Sequence, residues 1–413
     1  MIRHGIVLGC FLAWVSASSN FTTYEGHKVY KVFPTGSQAG LLKTFHGIEG
    51  YDFWGSYHNV STGIQELDLM VTPEQQEYFV KFLKEKNIEY STLVEDLETK
   101  KLLNNNMNIQ TLIIYLVFNN LQIRTYLLQL VTNYPSLVTV ENIGFTYEGR
   151  PIVIAKISSG GQGSRPVIAI EAGIHAREWI APATAVYIIN QLVENSENYD
   201  LISHVDWHIV PVTNPDGYEF SHTTTRLWRK TRSRPSSSTC IGTDANRNFD
   251  YYWMTVGASS NPCSETYGGI HALSEPETSA YHNYILGNKD RIKLYLATHS
   301  YGNYILYSWG HTSALPSDWL SLDNLAKSAN RAQVSAGGPN YAIGSSSNVL
   351  YATSGSSVDW VKAVAGVSYG YTIELPGGGN SGFDLPASQI LSTVSTYFNA
   401  VRVFGEYIRD NYA

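Results

Sequence analysis

Positive charge in blocks, long apolar runs and cysteine are what this 413-residue chain has least of. Lys and Arg number 28 against 35 Asp and Glu, a net charge of −7. The basic residues are scattered, and without a basic patch there is nothing to hold a phosphate backbone, which argues against nucleic acid as a partner. Beyond the N-terminus no apolar run approaches the ~20 residues that span a bilayer, so no membrane segment is expected. Residues 111–118 are apolar but too short to span, and read as a strand or a buried connector. No internal repeat is visible. Hydrophobic residues at 43% and charged residues at 15% describe a chain that buries a core, long enough for more than one domain.

The N-terminus has the grammar of a secretory signal: Arg3 and His4, an apolar stretch over 6–15, then small residues at Val15-Ser16-Ala17. With 1–17 removed, Cys10 leaves and Cys240 and Cys263 remain as one pair, which an oxidising compartment would join. The loop they close is rich in Asn, Ser and Gly and has little else to hold it. Asn20-Phe21-Thr22 and Asn59-Val60-Ser61 are glycosylation sequons. A secreted, extracellular protein is expected.

A small unit follows, spanning 20–101. Residues 28–33, 52–57, 65–71 and 89–94 alternate as strands, and 38–45 suits a short helix. Thr72, Pro73 and Gln75 read as the cap, first position and capping-box partner of a second helix, with Phe79, Phe82 and Leu83 on its inner face. The order βαββαβ is that of a ferredoxin-like α+β domain. Lys100 and Lys101 then precede the asparagine-rich stretch 102–108, an exposed linker suited to cleavage by a trypsin-like protease.

From 108 to 413 strands and helices alternate. Residues 121–132 form a helix ended at Tyr134-Pro135. Residues 167–172 are apolar apart from Glu171, as in a strand buried on both faces, and a helix covers 181–194. Strands follow at 207–212, 293–297 and 369–374, the last stopped by Leu375-Pro376-Gly377, and a long helix at 388–409 closes the chain. The expected fold is α/β: a mixed, mostly buried β-sheet flanked by helices, preceded by the small α+β domain.

Three polar groups fall at predicted strand ends: His175 after 167–172, His299 after 293–297, and Glu374 at the end of 369–374. In open α/β sheets ligands bind at the carboxyl ends of strands. His175 and Glu178 lie three positions apart, and two imidazoles with one carboxylate leave an open position on zinc, the arrangement of a catalytic site. Histidines outside such strings, His204 and His222 among them, read as ordinary structural groups.

The strings Gly173-Ile174-His175-Ala176-Arg177-Glu178-Trp179, Thr298-His299-Ser300-Tyr301 and Thr372-Ile373-Glu374-Leu375 together resemble the zinc metallocarboxypeptidases of the carboxypeptidase A/B family. No His-Glu-x-x-His string is present, which sets the chain apart from the other large class of zinc peptidases. The resemblance implies a signal peptide at 1–17, an activation domain at 20–101 and a catalytic domain at 108–413. It also implies one Zn²⁺ per chain, held by His175, Glu178 and His299, with Asp244 orienting the first histidine. Glu374 matches the general base, and Arg229 the residue that stabilises the developing oxyanion. Asn246, Arg247 and Tyr351 match the groups that grip the substrate's terminal carboxylate. Arg177 and Tyr301, inside the same strings, are assigned to substrate binding. The expected partners are peptide C-termini and an activating trypsin-like protease, and the protein is expected to act as a monomer.

Val358 lies where the family sets the floor of its specificity pocket. Valine there, with Gly310, Leu350, Thr353 and Thr372 adding no charge, favours aromatic and aliphatic C-terminal residues. Ser346 is more polar than that pocket leads one to expect, and Asp359 matches a structural acid. The alternatives are a B-type enzyme for terminal Lys or Arg, and a non-catalytic peptide-binding relative. The latter would show a lost ligand or base, and neither is lost.

Overall fold

The computed structural model describes residues 26–45, 50–58, 65–94, 119–160, 163–235, 238–378 and 382–413. The signal segment, both sequons, Lys100 and Lys101, the linker at 102–108 and the apolar run 111–118 lie outside the described residues. The chain divides into two compact units between Asn108 and Ile109.

The first unit holds strand β1 (Lys28–Phe33), helix α1 (Gly36–Leu42), strands β2 (Tyr51–His58) and β3 (Gln65–Val71), helix α2 (Pro73–Glu85) and strand β4 (Glu89–Val94). The four strands form one antiparallel sheet in the order β2-β3-β1-β4. The βαββαβ pattern is therefore as the hydrophobic alternation predicts. Phe79 and Leu83 of α2 are fully buried against Tyr30, Val32 and Leu69, with Phe82 partly so. The start of α2 departs from expectation: Thr72 is its N-cap and Pro73 opens it, but no side chain caps it. Gln75 instead accepts a hydrogen bond from the Tyr51 hydroxyl at 3.2 Å, so a tertiary contact takes the group that a capping box needs.

A complete capping box forms elsewhere, at α3 (Asn120–Asn133), where the Asn119 side chain accepts from Gln122 N and Gln122 accepts from Asn119 N. The second unit continues with β5 (Val138–Phe145), β6 (Pro151–Ile157), β7 (Val167–Ala172), α4 (Ile180–Val193), β8 (Asp206–Val210), α5 (Pro215–Thr223), α6 (Pro276–Asn288), β9 (Ile292–Ser300), β10 (Tyr304–Tyr307), α7 (Trp319–Ser335), β11 (Ala342–Ser345), α8 (Ser357–Ala363), β12 (Tyr369–Leu375) and α9 (Ala387–Tyr412). Its sheet runs β11-β10-β12-β9-β7-β8-β6-β5. The four central strands β12, β9, β7 and β8 are mutually parallel, and antiparallel partners flank them.

Strand β7 shows how the centre is buried on both faces, its one polar residue, Glu171, accepting a hydrogen bond from the buried Tyr295 hydroxyl. Ile168, Ile170 and Ala172 enter one core, while Val167 and Ala169 enter another on the opposite face. Helices α3, α4, α7 and α9 supply the first core; α6 and α8 supply the second. Each fully buried Leu, Ile or Val contributes roughly 2 kcal/mol, which holds the parallel strands in register. Among the described residues no helix is long and apolar enough to cross a membrane.

One buried acid is held without full compensation. The Glu277 side chain in α6 accepts from the Tyr147 amide at 3.1 Å, but its second oxygen has no partner among the described residues. Burial, with Glu275 and Asp216 adding, pushes its carboxyl up to about 8. The folded chain keeps this proton where the unfolded chain has lost it, so folding takes up a proton between roughly pH 4.3 and pH 8. The stability this group permits is therefore fully present below the unfolded value and lost as pH rises through 8. The variant Glu277→Gln is expected to gain in Tm over the parent as pH is raised from 5 to 8; a difference that stays flat with pH would refute this titration.

Candidate active site

Three parallel neighbours deliver the site. Strands β12, β9 and β7 lie side by side, with Glu374 opposite His299 and Ala172 opposite Thr298. Their carboxyl ends share one sheet edge, so β7 leads directly to His175, β9 carries His299 and β12 carries Glu374. Strand β9 runs on to Ser300, so His299 belongs to the strand itself, two residues beyond the predicted end. Alternation along β12 buries Tyr371, Ile373 and Leu375 in the core and turns Thr372 and Glu374 the other way.

The turn after β7 is tight. Gly173 has φ +64°, and a Cβ there would lie 3.1 Å from Pro182 and from the Val212 backbone; glycine meets both demands. Asn214 holds the turn through its amide bonded to Ile174 O at 3.2 Å, and Ala176 N donates to Arg229 O at 3.0 Å. Glu178 follows, its carbonyl accepting from Ala181 N in the first turn of α4.

His175, Glu178 and His299 converge, each buried, with their ligand atoms all within 4.8 Å of one another. His175 Nδ1 lies 2.8 Å from Glu178 Oε1, His299 Nδ1 lies 3.0 Å from Glu178 Oε2, and the two Nδ1 atoms face each other at 3.1 Å. On the far side of the His175 ring, Nε2 meets Asp244 Oδ1 at 3.0 Å. A carboxylate only accepts, so Nε2 carries the proton and Nδ1 presents its lone pair to the centre. Burial pushes the Glu178 carboxyl up, but His175 and His299 outweigh it and hold it well below the usual range. Burial opposes charge on His299, yet Glu178 carries its imidazole up to about 9. Two facing imidazole nitrogens and a carboxylate thus converge on one point, and this donor set and size suit zinc.

Asp244, fully buried, is the hub behind them. Its Oδ1 also accepts from Asn246 N at 3.0 Å, and its Oδ2 accepts from Arg229 Nε and Nη2 at 3.1 and 3.0 Å. Burial works against its charge; Arg229, His175 and Arg247 prevail and hold it well below the carboxylate range. The Asp244 fork leaves Arg229 Nη1 3.7 Å from Glu178 Oε1, beside the convergent donors. Arg247 binds Gly257 O through Nε and Asn246 O through Nη1, leaving Nη2 with no hydrogen bond among the described residues. Asn246 is oriented by Ser357 N, which donates to its Oδ1 at 2.9 Å, and its amide lies 3.5 Å from His299 Nε2. The loop carrying 244–248 is tied by the Cys240–Cys263 disulfide, as the cysteine count predicts.

A cavity of about 210 Å³ takes in every expected catalytic and substrate-binding residue: Glu374, Arg229, Asn246, Arg247, Tyr351, Arg177, Tyr301 and Val358, together with the three donor residues. Tyr351 and Tyr301 stand at its rim, 55% and 48% exposed. Burial pushes the Glu374 carboxyl up to about 7, Glu178 adding and His299 and the two arginines opposing, a range suited to exchanging protons near neutrality. Asp359 also lines the cavity, but it accepts from Gly310 N, His311 N and His311 Nδ1 within 3.1 Å, leaving it little capacity for anything else.

The residue names alone did not reveal Arg226. Its guanidinium lies 3.5 Å over the Trp179 ring, donates to Arg177 O and Phe383 O at 2.8 and 2.7 Å, and pairs with Asp384 at 3.0 Å. It fastens the donor loop to the segment bearing Phe383, whose ring packs on Arg177 and Tyr301. Only its position three residues before Arg229 could have drawn notice to it.

Comparison with known proteins agrees with this geometry. The family model "Zinc carboxypeptidase" matches residues 123–400, and "Carboxypeptidase activation peptide" matches residues 30–105. Carboxypeptidase B of Astacus astacus is 47% identical over 284 residues, 68% of this chain and 93% of the relative. Carboxypeptidase A2 of Mus musculus is 34% identical over 406 residues, 94% of this chain and 95% of that protein. The crystal structure of the carboxypeptidase A from Helicoverpa armigera superposes with a TM-score of 0.69 at 30% identity, covering 94% of this chain and 98% of that one.

If the three convergent groups hold the ion, chelator-treated protein is expected to rebind one zinc per chain. Replacing His175, Glu178 or His299 by Ala should abolish that binding, and Asp244→Asn should weaken it roughly 10- to 100-fold. A competition titration against a zinc-binding dye on folded protein reads both, and wild-type affinity in the His299→Ala variant would exclude the assignment.

Proposed function

Because the chain belongs to the zinc carboxypeptidase family and carries that family's activation peptide, we propose that it is a secreted zymogen whose processed form removes aromatic and aliphatic residues from peptide C-termini. The observation that carries most weight is the shared cavity, in which a base, three arginines and three convergent metal donors meet beside Val358.

His175, Glu178 and His299 hold zinc, which supplies Lewis acidity when bound. Glu374, facing the same space from β12, takes a proton from the attacking water and returns it to the leaving amine. Arg229, with its fork on Asp244 and Nη1 turned inward, stabilises the oxyanion; a preorganised donor of this kind contributes about 3 kcal/mol. Asp244 keeps His175 in the right tautomer and Arg229 in place, so one carboxylate orders both. Arg247, through its uncommitted Nη2, and Asn246 bind the terminal carboxylate, with Tyr351 at the rim. Arg177 and Tyr301 contact the chain further from its end.

Selectivity follows from the floor. Val358 is 5% exposed, and burying an apolar side chain against it yields about 2–3 kcal/mol. A lysine or arginine would meet only Asp359, whose oxygens already accept from the backbone and His311, and a buried unpaired cation costs several kcal/mol. The relatives include both A and B forms, so this chain's own lining is the basis for the choice. Secretion is supported by the signal-like residues 1–17 and the Cys240–Cys263 disulfide. Cleavage near Lys100 and Lys101 by a trypsin-like protease would separate the activation domain from the catalytic one.

Trypsin treatment of the full chain is expected to release peptidase activity that a chelator abolishes. On the processed protein, amidating a substrate's C-terminus should lower kcat/KM by orders of magnitude, since Arg247 is then left unpaired; equal turnover of amidated and free peptides would refute its role. Peptides ending in Phe should be cleaved far faster than matched peptides ending in Arg, and the reverse order would assign the enzyme to the B type.

A further inference from the structure

Apart from Asp359, whose oxygens are engaged by Gly310 and His311, the cavity around Val358 has an uncharged but not uniformly apolar lining. Beside Leu350 and Val358 it is lined by Ser346, Thr353 and Thr372. These three come from separate elements: the short helical turn Ser346–Val349, the loop ahead of α8, and β12. Thr372 lies two residues before Glu374 and so on the same face of its strand. Thr353 sits where only glycine allows it, since a Cβ on Gly310 would stand 2.7 Å from the Thr353 hydroxyl. Among the described residues, none of the three hydroxyls has a hydrogen-bond partner in the protein. Nearby side chains behave differently: Ser356 accepts from Asp359 N, Ser347 donates to Thr312 O, and Asn348 donates to Ser313 O.

We propose that this pocket selects C-terminal side chains with an apolar body and an uncharged hydrogen-bonding tip, tyrosine before phenylalanine, and that Ser346 and Thr372 are the residues that make the distinction. The inference rests on the A-type reading above and sharpens it. Val358 and Leu350 pack the ring, while the hydroxyls receive a phenol that can both donate and accept. A phenylalanine ring displaces water from the same hydroxyls and gives nothing back. An imperfectly replaced hydrogen bond of this kind should favour tyrosine in kcat/KM by about two- to tenfold. Charge is not what the wall reads, because Asp359 is committed to the 310–311 backbone and to His311.

The test is kcat/KM on the trypsin-processed chain for matched N-blocked peptides ending in Tyr, Phe and Arg, repeated with the variants Ser346→Val and Thr372→Val. Tyrosine is expected to lead phenylalanine, and each variant to lower the Tyr/Phe ratio toward or below one. The ratio compares two substrates on one sample, so loss of active protein cancels. Phenylalanine equal to or better than tyrosine in the parent overturns the inference and leaves the A-type reading standing. A ratio unchanged in both variants overturns the assignment to these hydroxyls. Arginine above both overturns the A-type reading itself, and this inference with it.

Discussion

Parallel pairing of β12, β9 and β7 is the constraint from which the site follows. Parallel neighbours in register end together, so whatever residue types stand at their carboxyl ends are forced into one small volume. Here those ends bring His175, His299 and Glu374 to the same edge. The pairing is itself held by cores on both faces, to which β7 and β9 each contribute alternate residues. The apolar layers therefore place the polar groups, and the catalytic geometry inherits the rigidity of the sheet.

A second level of order comes from one buried carboxylate. Asp244 accepts from His175, from the Asn246 amide and twice from Arg229. His175, the loop carrying Asn246 and Arg229 thus share a single anchor, and displacing it would disturb all three. The low dielectric around it strengthens each of these bonds and makes each costly to leave unmade. Arg226 acts similarly on the other side of the donor loop, where it links Trp179, the Arg177 carbonyl and the segment bearing Phe383. These ties keep the cavity walls together although the residues come from distant parts of the chain.

Much of the architecture was legible in the residue order because it rests on local physics. The run at 167–172, apolar apart from Glu171, reads as a strand covered on both faces, and β7 spans those residues. The alternation in the first unit gave its four strands in order. Local logic failed where tertiary contacts claimed a side chain. Gln75 had the right spacing to close a capping box at Thr72, but Tyr51 engages it, whereas Asn119 and Gln122, with no such competitor, do close one. Strand β9 runs past its apolar stretch because pairing with β12 carries Thr298, His299 and Ser300 into the ladder, and periodicity does not see a neighbour. Short strands such as β10 and β11, four residues each, carry too little pattern to stand out from loops.

The sequence by itself determined which groups could do chemistry and in what strings they lie, since imidazole, carboxylate and guanidinium are properties of residue types and their spacing is written in the chain. It also determined the single disulfide, because only two cysteines follow the leading apolar segment. Tertiary structure alone decided that His175 and His299, 124 residues apart, face each other at contact distance. It likewise decided that Asp359 spends its acceptors on the backbone and His311 while Ser346 and Thr372 keep theirs. Coordination and selectivity depend on distances of a few ångströms, and such distances are set by how layers pack, which no stretch of residues specifies alone.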